Sequence, residues 1–409
     1  MLRDARDPAA GEDLGPLPEW DLTDLYARED APELARDLDW LAAECADFAR
    51  DLEGRLAGLD AAGACAAVTR WERIQQVAGR IMSFAGLRHY QDTLDAGRAK
   101  FFGDMQAKVT EATTPLVFFT LELNRVEDAT VEGWLAADAD LARYRPVIER
   151  LRKMKPHQLS DELERFLHDA SVVGAAAWNR LFDETMAALR FEVAGESLGL
   201  EATLNLLSEQ DRAKRQAGAE ALAAVFVERT PLFARITNTL AKEKEIEDRW
   251  RKFPTPQASR HLANDVEPEV VQALRDAVVA AYPRLSHRYY ALKAKWLGLD
   301  KLQVWDRNAP LPQEDDRKIP WSEAREIVLD AYAGFDPRLA ELATPFFEKG
   351  WIDAGVKTGK APGAFAHPTV TDAHPYVLLN YLGKPRDVMT LAHELGHGVH
   401  QRLAARQGE

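Results

Sequence analysis

Thr390-Leu391-Ala392-His393-Glu394-Leu395-Gly396-His397-Gly398-Val399-His400 decides how this 409-residue chain is read. Residues four apart on an α-helix stand one turn above each other, so the imidazoles of His393 and His397 can close on a single ion from one face. Two nitrogen donors at that spacing suit Zn²⁺. Glu394 lies roughly 100° around the helix, near enough to reach a metal-bound water without ligating the ion, which makes it the candidate general base of a metal-assisted hydrolysis. The flanks favour a helix. Pro385 follows Lys384 at a place where a first turn tolerates a missing N–H. Val388, Leu391, Ala392, Leu395, Val399 and Leu403 recur at three- and four-residue spacing as one apolar stripe. Counted from Val388, His393 falls at roughly 140° and His397 at roughly 180°, so both face away from that stripe. Met389, Gly396, His400 and Ala404 run along the histidine side. His400 is not the third histidine of the longer H-E-x-x-H-x-x-G-x-x-H pattern, which needs His at the position held by Leu403. The bland alternative is a solvated helix face that carries histidines by accident.

The segment just upstream is the second informative stretch. Gly359-Lys360-Ala361-Pro362-Gly363-Ala364-Phe365-Ala366-His367-Pro368 is glycine-punctuated, and Tyr376-Val377-Leu378-Leu379-Asn380-Tyr381 is an apolar run of strand length. A loop and strand beside a metal helix can offer backbone N–H and C=O groups to an extended peptide. An ordinary surface loop leading into a core strand fits the same spacing. His367 and His374 each precede a proline, which biases both towards extended backbone.

Composition frames the site. The chain is long enough for two or three ordinary domains or one large helical body. A net charge of −14 argues against nucleic acid or an anionic membrane as partner, since either calls for a basic surface. Cys45 and Cys65, the two cysteines, read as small buried hydrophobes rather than a disulfide framework. The N-terminus has no apolar signal region and the chain has no membrane-length apolar run, so a soluble, cytoplasmic protein is expected. Residues 1–19, rich in Pro, Gly and Asp, read as a flexible arm, with order beginning near Trp20. Helical patterns over 31–57, 62–90, 95–125, 130–152 and 160–188, with Ser160 as an N-cap, predict an antiparallel helical lobe over 20–190. Residues 191–200 read as a hairpin turning near Gly195, and a boundary is placed there. Helices are expected again over 208–229, 231–251, 267–298 and 321–350, with Leu302-Gln303-Val304-Trp305 as a short strand. The ten tryptophans are scattered without basic residues between them and read as core anchors.

Gly363-Ala364-Phe365, His374-Pro375-Tyr376-Val377-Leu378-Leu379-Asn380 and the 390–400 motif together resemble oligoendopeptidase F and, more distantly, the thimet oligopeptidase group. Trp20-Asp21-Leu22-Thr23-Asp24-Leu25-Tyr26 is similar to the start of the bacterial oligoendopeptidase F chains. The resemblance implies a mainly α, zincin-like fold with a small β element near the active site, and a catalytic lobe over 191–409 enclosing a channel. It implies cleavage of internal bonds in short, unstructured peptides. His393 and His397 then take the metal-ligand roles, Glu394 the base, and Gly363, Ala364, Phe365, His374 and Tyr376 are candidate substrate contacts. The family pattern calls for a third ligand, a Glu roughly two dozen residues after the second His, and for a later Tyr and His that hold the intermediate. The chain ends at Glu409, before those positions. The resulting expectation is a C-terminally truncated catalytic lobe, one zinc per complete site, no activity on its own, and the missing C-terminal segment as a partner. A non-catalytic helical module that keeps the fold to bind peptides or a partner is the competing expectation.

Overall fold

The computed structural model describes residues 14–312 and 317–408; residues 1–13 of the expected arm, and Glu409, lie outside the described residues. The first half follows the apolar periodicity into a helical array. It comprises α1 (Pro32–Leu52), α2 (Ala61–Gln91), α3 (Ala96–Thr113), α4 (Val117–Arg125), α5 (Asp128–Ala137), α6 (Ala139–Ala142), α7 (Arg145–Arg152), α8 (Asp161–Ala170) and α9 (Ala175–Ala188). Asp60 starts α2 by accepting the Gly63 N–H at 2.8 Å, and Asp95 starts α3 by accepting that of Gly97 at 2.9 Å. Each such cap is worth about 1 kcal/mol. Ser160 occupies the N-cap position of α8 without a side-chain cap bond. The stripes Leu34, Leu41, Cys45, Phe48 on α1 and Ile74, Val77, Ile81, Phe84 on α2 are buried, and α1, α2 and α3 pack on one another.

The expected hairpin is present as β1 (Phe191–Val193) and β2 (Glu196–Leu198). Ala194 (φ 53°) and Gly195 (φ 86°) both take the left-handed conformation that a tight two-residue hairpin turn requires. Beyond it lie α10 (Leu200–Leu206), α11 (Arg212–Trp250), α12 (Ala258–Ala263), α13 (Pro268–Ala281) and α14 (Ser286–Trp296). Three expectations are corrected in this stretch. α11 runs unbroken through Pro231, where two helices were expected. Proline removes the N–H that Val227 C=O would accept, but Val227 is 71% exposed, so water can satisfy that carbonyl. The pattern over 267–298 divides at Tyr282-Pro283 into α13 and α14. The expected strand at Leu302–Trp305 is instead a 3₁₀ turn over Val304–Asp306. The fully buried Asp306 carboxylate shapes that turn by accepting the Gln303 N–H at 2.9 Å and holding Arg212 (2.9 Å) and Arg215 (3.1 Å) of α11.

The last part contains α15 (Trp321–Phe335), α16 (Pro337–Glu348), β3 (Ile352–Asp353), β4 (Phe365–His367), β5 (Tyr376–Leu378) and α17 (Pro385–Ala404). α15 and α16 were expected as one helix. They separate at Asp336, which turns extended and caps α16 by accepting the Arg338 N–H at 2.9 Å. The sheet has the order β3-β5-β4, with β3 parallel and β4 antiparallel to β5.

The hydrophobic core crosses the boundary placed at 191. One cluster joins buried residues from Leu14 to Ile148 with others from Ile319 to Leu395, so α15, the sheet and α17 share a core with the N-terminal helices. A separate small cluster of Leu189, Phe191 and Leu222 serves the intervening arm. Residues 14–19 are not loose: Leu14 is 1% exposed, and Pro18 C=O accepts the Ala354 N–H at 2.9 Å. Among the described residues, packing therefore begins at Leu14 rather than at Trp20. Among the described residues, no helix is long and apolar enough to cross a membrane.

Candidate metal centre

α17 is held in place along its length. At its start, Asp387 accepts the Leu382 and Lys384 N–H groups, both at 3.0 Å, so the chain enters the helix at a set angle. Burial raises the Asp387 pKa, against those two backbone bonds and the nearby cations, which lower it. Lys384 Nζ reaches Asn205 C=O and Glu209, each at 3.0 Å, tying the same end to the arm. Val388, Leu391, Leu395 and Val399 are buried as the stripe predicts, and Leu403, at 47% exposed, lies beyond the core. Gly398 permits close packing, since a Cβ there would sit 2.6 Å from the Phe346 ring of α16, whereas one on Gly396 would make only ordinary contact with the Tyr332 hydroxyl of α15 at 3.5 Å. That hydroxyl donates to Ala392 C=O, one residue before His393. Tyr332 was not singled out by the sequence, because nothing local marks a tyrosine sixty residues upstream as touching the motif.

On the opposite side of α17, His393 and His397 are exposed and bring their Nε2 atoms to 3.1 Å, with the rings at 89° to each other. Two nitrogens on a tetrahedral zinc at 2.0–2.1 Å would stand about 3.3 Å apart, so the pair fits as two of its ligands. Glu394, between them in sequence, is only 9% exposed. Among the described residues, no group of three or more His, Cys, Asp or Glu side chains gathers to hold a metal. The centre thus offers two nitrogen donors and one adjacent carboxylate. His400 is exposed on the same helix and joins no such group.

The sheet lies beside this helix, with α17 packed on β4 and β5. Val377 N–H donates to Trp351 C=O and Leu379 N–H to Asp353 C=O, both at 2.9 Å, so these two residues turn their backbone groups towards β3. Tyr376 and Leu378 therefore turn theirs towards β4, where they pair with His367 and Phe365. Strict alternation leaves Ala366, and Ala364 by continuation, with N–H and C=O on the open side of β4. Ala364 was among the expected substrate contacts; Ala366 was not, although period-two alternation combined with the strand order locates it. Gly363 sits at the entrance with φ +78°, its N–H donating to Glu201 of α10 at 2.8 Å and its C=O accepting from Asn380 at 3.0 Å. Phe365 packs edge-on against Tyr90 of α2, ring centres 5.4 Å apart.

Two expected substrate contacts are corrected. His374 is 9% exposed, stacks on Trp351 at 3.6 Å and places Nε2 2.8 Å from Asp24. Burial lowers its pKa, against the Pro375 and Asp24 contacts that raise it. Tyr376 is fully buried and donates its hydroxyl to Asp21 C=O at 2.7 Å. Both side chains pin the 20–26 segment to the sheet. His367 likewise turns inward to Ser83 Oγ at 2.9 Å, and burial pushes its pKa down to about 4, leaving it neutral.

The described residues thus form a mainly helical body in which a helix carrying two exposed histidines packs on a small sheet. Residues 122–191 match the family described as Oligopeptidase F, and residues 205–408 match Peptidase family M3. The chain belongs to the oligopeptidase F branch of peptidase family M3. It is 27% identical over 389 residues to the group B oligopeptidase PepB of Streptococcus agalactiae, covering 93% of this chain and 63% of that protein. It is 25% identical over 344 residues to the oligopeptidase PepF of Bacillus subtilis, covering 82% and 50%. The chain therefore spans half to somewhat under two thirds of these relatives. Its fold is similar to the crystal structure of oligoendopeptidase-F from Enterococcus faecium, with a TM-score of 0.62 and 22% identity over 78% of this chain and 62% of that one. PZ peptidase A, solved with an inhibitor, is similar in fold at a TM-score of 0.65 and 16% identity, over 90% and 62%.

Proposed function

We propose that this protein belongs to a zinc-dependent endopeptidase that hydrolyses internal bonds of short, unstructured oligopeptides, with His393 and His397 as metal ligands and Glu394 as general base. The observation that carries the reading is the pair of imidazole nitrogens 3.1 Å apart on one turn of α17, with the buried Glu394 next to His393 in the sequence. Zinc, when bound, supplies Lewis-acid polarisation of the scissile carbonyl and acidification of water. Glu394 takes the proton from the attacking water and passes it to the departing amine. The open side of β4 receives the substrate as an added strand, with Ala364 and Ala366 supplying backbone donors and acceptors and Gly363 and Phe365 flanking them. A flexible peptide can extend along such an edge, whereas a folded protein has its own backbone groups already paired. Since the described residues bring two protein donors together where catalytic zinc takes three, we propose that the 409-residue chain binds zinc weakly and turns over slowly, if at all, by itself.

The test is hydrolysis of an internally quenched oligopeptide at saturating zinc by the wild type and Glu394→Gln. Zinc-dependent cleavage that falls to background in the variant, with zinc binding retained, supports the assignment. Full turnover by Glu394→Gln removes that residue from the mechanism. Peptide binding by a chain that takes up no zinc would favour the second reading, a peptide-binding module that keeps the fold.

A further inference from the structure

Lys360 takes no part in the chemistry above, yet its side chain is 1% exposed. Its ammonium donates to Asp353 Oδ1 at 2.6 Å, Gly355 C=O at 2.7 Å, Leu379 C=O at 2.8 Å and Asp353 C=O at 3.1 Å. The other Asp353 oxygen accepts from Gln91 of α2 at 3.3 Å. Burial lowers the Lys360 pKa, and the Asp353 carboxylate opposes that shift. A buried ion pair seldom adds net stability over an apolar pair of the same volume, because desolvation offsets the attraction. What an ammonium with three N–H groups supplies is aim, since it ties together oxygens from separate stretches of backbone.

The tied stretches are the end of β3 and the residue just past β5. Leu379 leads directly to Asn380, whose side-chain amide donates to Ala361 C=O at 3.1 Å and Gly363 C=O at 3.0 Å. Ala361 N–H in turn donates to Tyr90 C=O at 2.9 Å. β4 begins two residues after Gly363, so this knot joins the sheet's centre to the chain entering β4, alongside the ladder that pairs Phe365 with Leu378.

We propose that Lys360 is a positioning residue for the substrate edge: acting through Leu379 and Asn380, it fixes where β4 lies against α17. This rests on the reading that the open side of β4 receives the peptide. Two variants of the 409-residue chain test it, Lys360→Met, which removes the ammonium, and Asn380→Asp, which sets a carboxylate against the two carbonyls it now serves. Asn380 is only half-buried, so its variant should fold even if Lys360→Met does not. The measurements are hydrogen exchange at the Phe365 and His367 amides, zinc titration, and affinity for a fluorescently labelled unstructured decapeptide.

Expected are a wild-type zinc titration, unchanged protection in α2, exchange at Phe365 and His367 accelerated by about tenfold or more, and peptide affinity weakened by a similar factor. A loss of stability alone would lower protection in α2 and in the strand together and leave peptide affinity unchanged in the folded variants. Wild-type protection of those two amides in Asn380→Asp would overturn the proposal, as would loosened amides with undiminished peptide affinity. If the wild type binds zinc but no peptide, the reading of β4 as substrate edge fails, and the exchange measurement still decides whether this knot holds the strand.

Discussion

Helices α1, α2, α16 and α17 share with helices α13 and α14 an amphipathic composition, but only the first group buries its large apolar side chains. Phe48, Phe84, Phe346 and Leu395 are each at most 1% exposed, and rings stack edge-on through that core, as between Tyr26 and Phe84 at 5.5 Å. On α13, Val270, Leu274 and Val278, spaced as one stripe, are 57%, 65% and 44% exposed, and Trp296 of α14 is 49% exposed. Beside the small cluster of Leu189, Phe191 and Leu222, this arm relies on charge: the Asp306 clamp on Arg212 and Arg215, and Arg251, just past the end of α11, bound to Glu164 at 2.6 Å and 2.9 Å. Stability is therefore concentrated where the metal helix sits. A rigid frame around the ligands suits a site whose donors must hold their geometry.

The sharpest contrast between the regions should come from Phe346→Ala, which empties the contact against Gly398 and is expected to cost about 3–5 kcal/mol, read as a shift in the denaturant midpoint. A loss below about 1 kcal/mol would mean that α16 and α17 are not packed as described. Next, Gly398→Val should cost about 1–3 kcal/mol by forcing the same helices apart and should lower zinc affinity as well; a neutral outcome would deny the close approach.

In the arm the decisive variable is pH. Burial opposes ionisation of Asp306, but the Arg212 bond, the Gln303 N–H and Arg215 outweigh it and hold the carboxyl at about 2, against an ordinary 3.8. A lowered carboxylate pKa stabilises fully above 3.8, and that contribution fades as pH falls towards 2. Protection of α11 amides around Arg215 should accordingly drop between pH 4 and 2 in the wild type but not in Asp306→Asn, which lacks the titrating group. An identical acid profile in both would dismiss the clamp. The smallest effect belongs to Leu274→Ala, within about 0.5 kcal/mol in thermal unfolding because the side chain has little contact to lose. A penalty of several kcal/mol would reveal a partner for α13.

Helix α17 was readable because everything that defines it is local: the stripe from Val388 to Val399 and the entry at Lys384-Pro385. The helical array and the hairpin at Ala194-Gly195 were readable for the same reason. What escaped depends on non-local partners. β3 has only two residues and exists because Val377 and Leu379 donate to Trp351 and Asp353. Pro231 reads as a break in sequence because propensity cannot see that Val227, whose carbonyl loses its partner, is exposed enough for water to reach it. Asp306 converts an apolar run into a turn through arginines some ninety residues away. His374 and Tyr376 lie within the family-like motif but serve the 20–26 segment, and no spacing distinguishes a side chain turned inward from one turned to a substrate. The boundary near 191 follows a real change of local pattern, yet the core passes across it, since burial is settled by which stripes meet in space.

Zinc titration of the wild type, His393→Ala, His397→Ala and Glu394→Gln bears most directly on the central claim, that two imidazoles on one turn of α17 form part of a metal centre with an adjacent base. The account predicts one weakly held zinc per chain in the wild type and in Glu394→Gln, and its loss in either histidine variant. Zinc bound with wild-type stoichiometry and affinity after removal of either imidazole would contradict it.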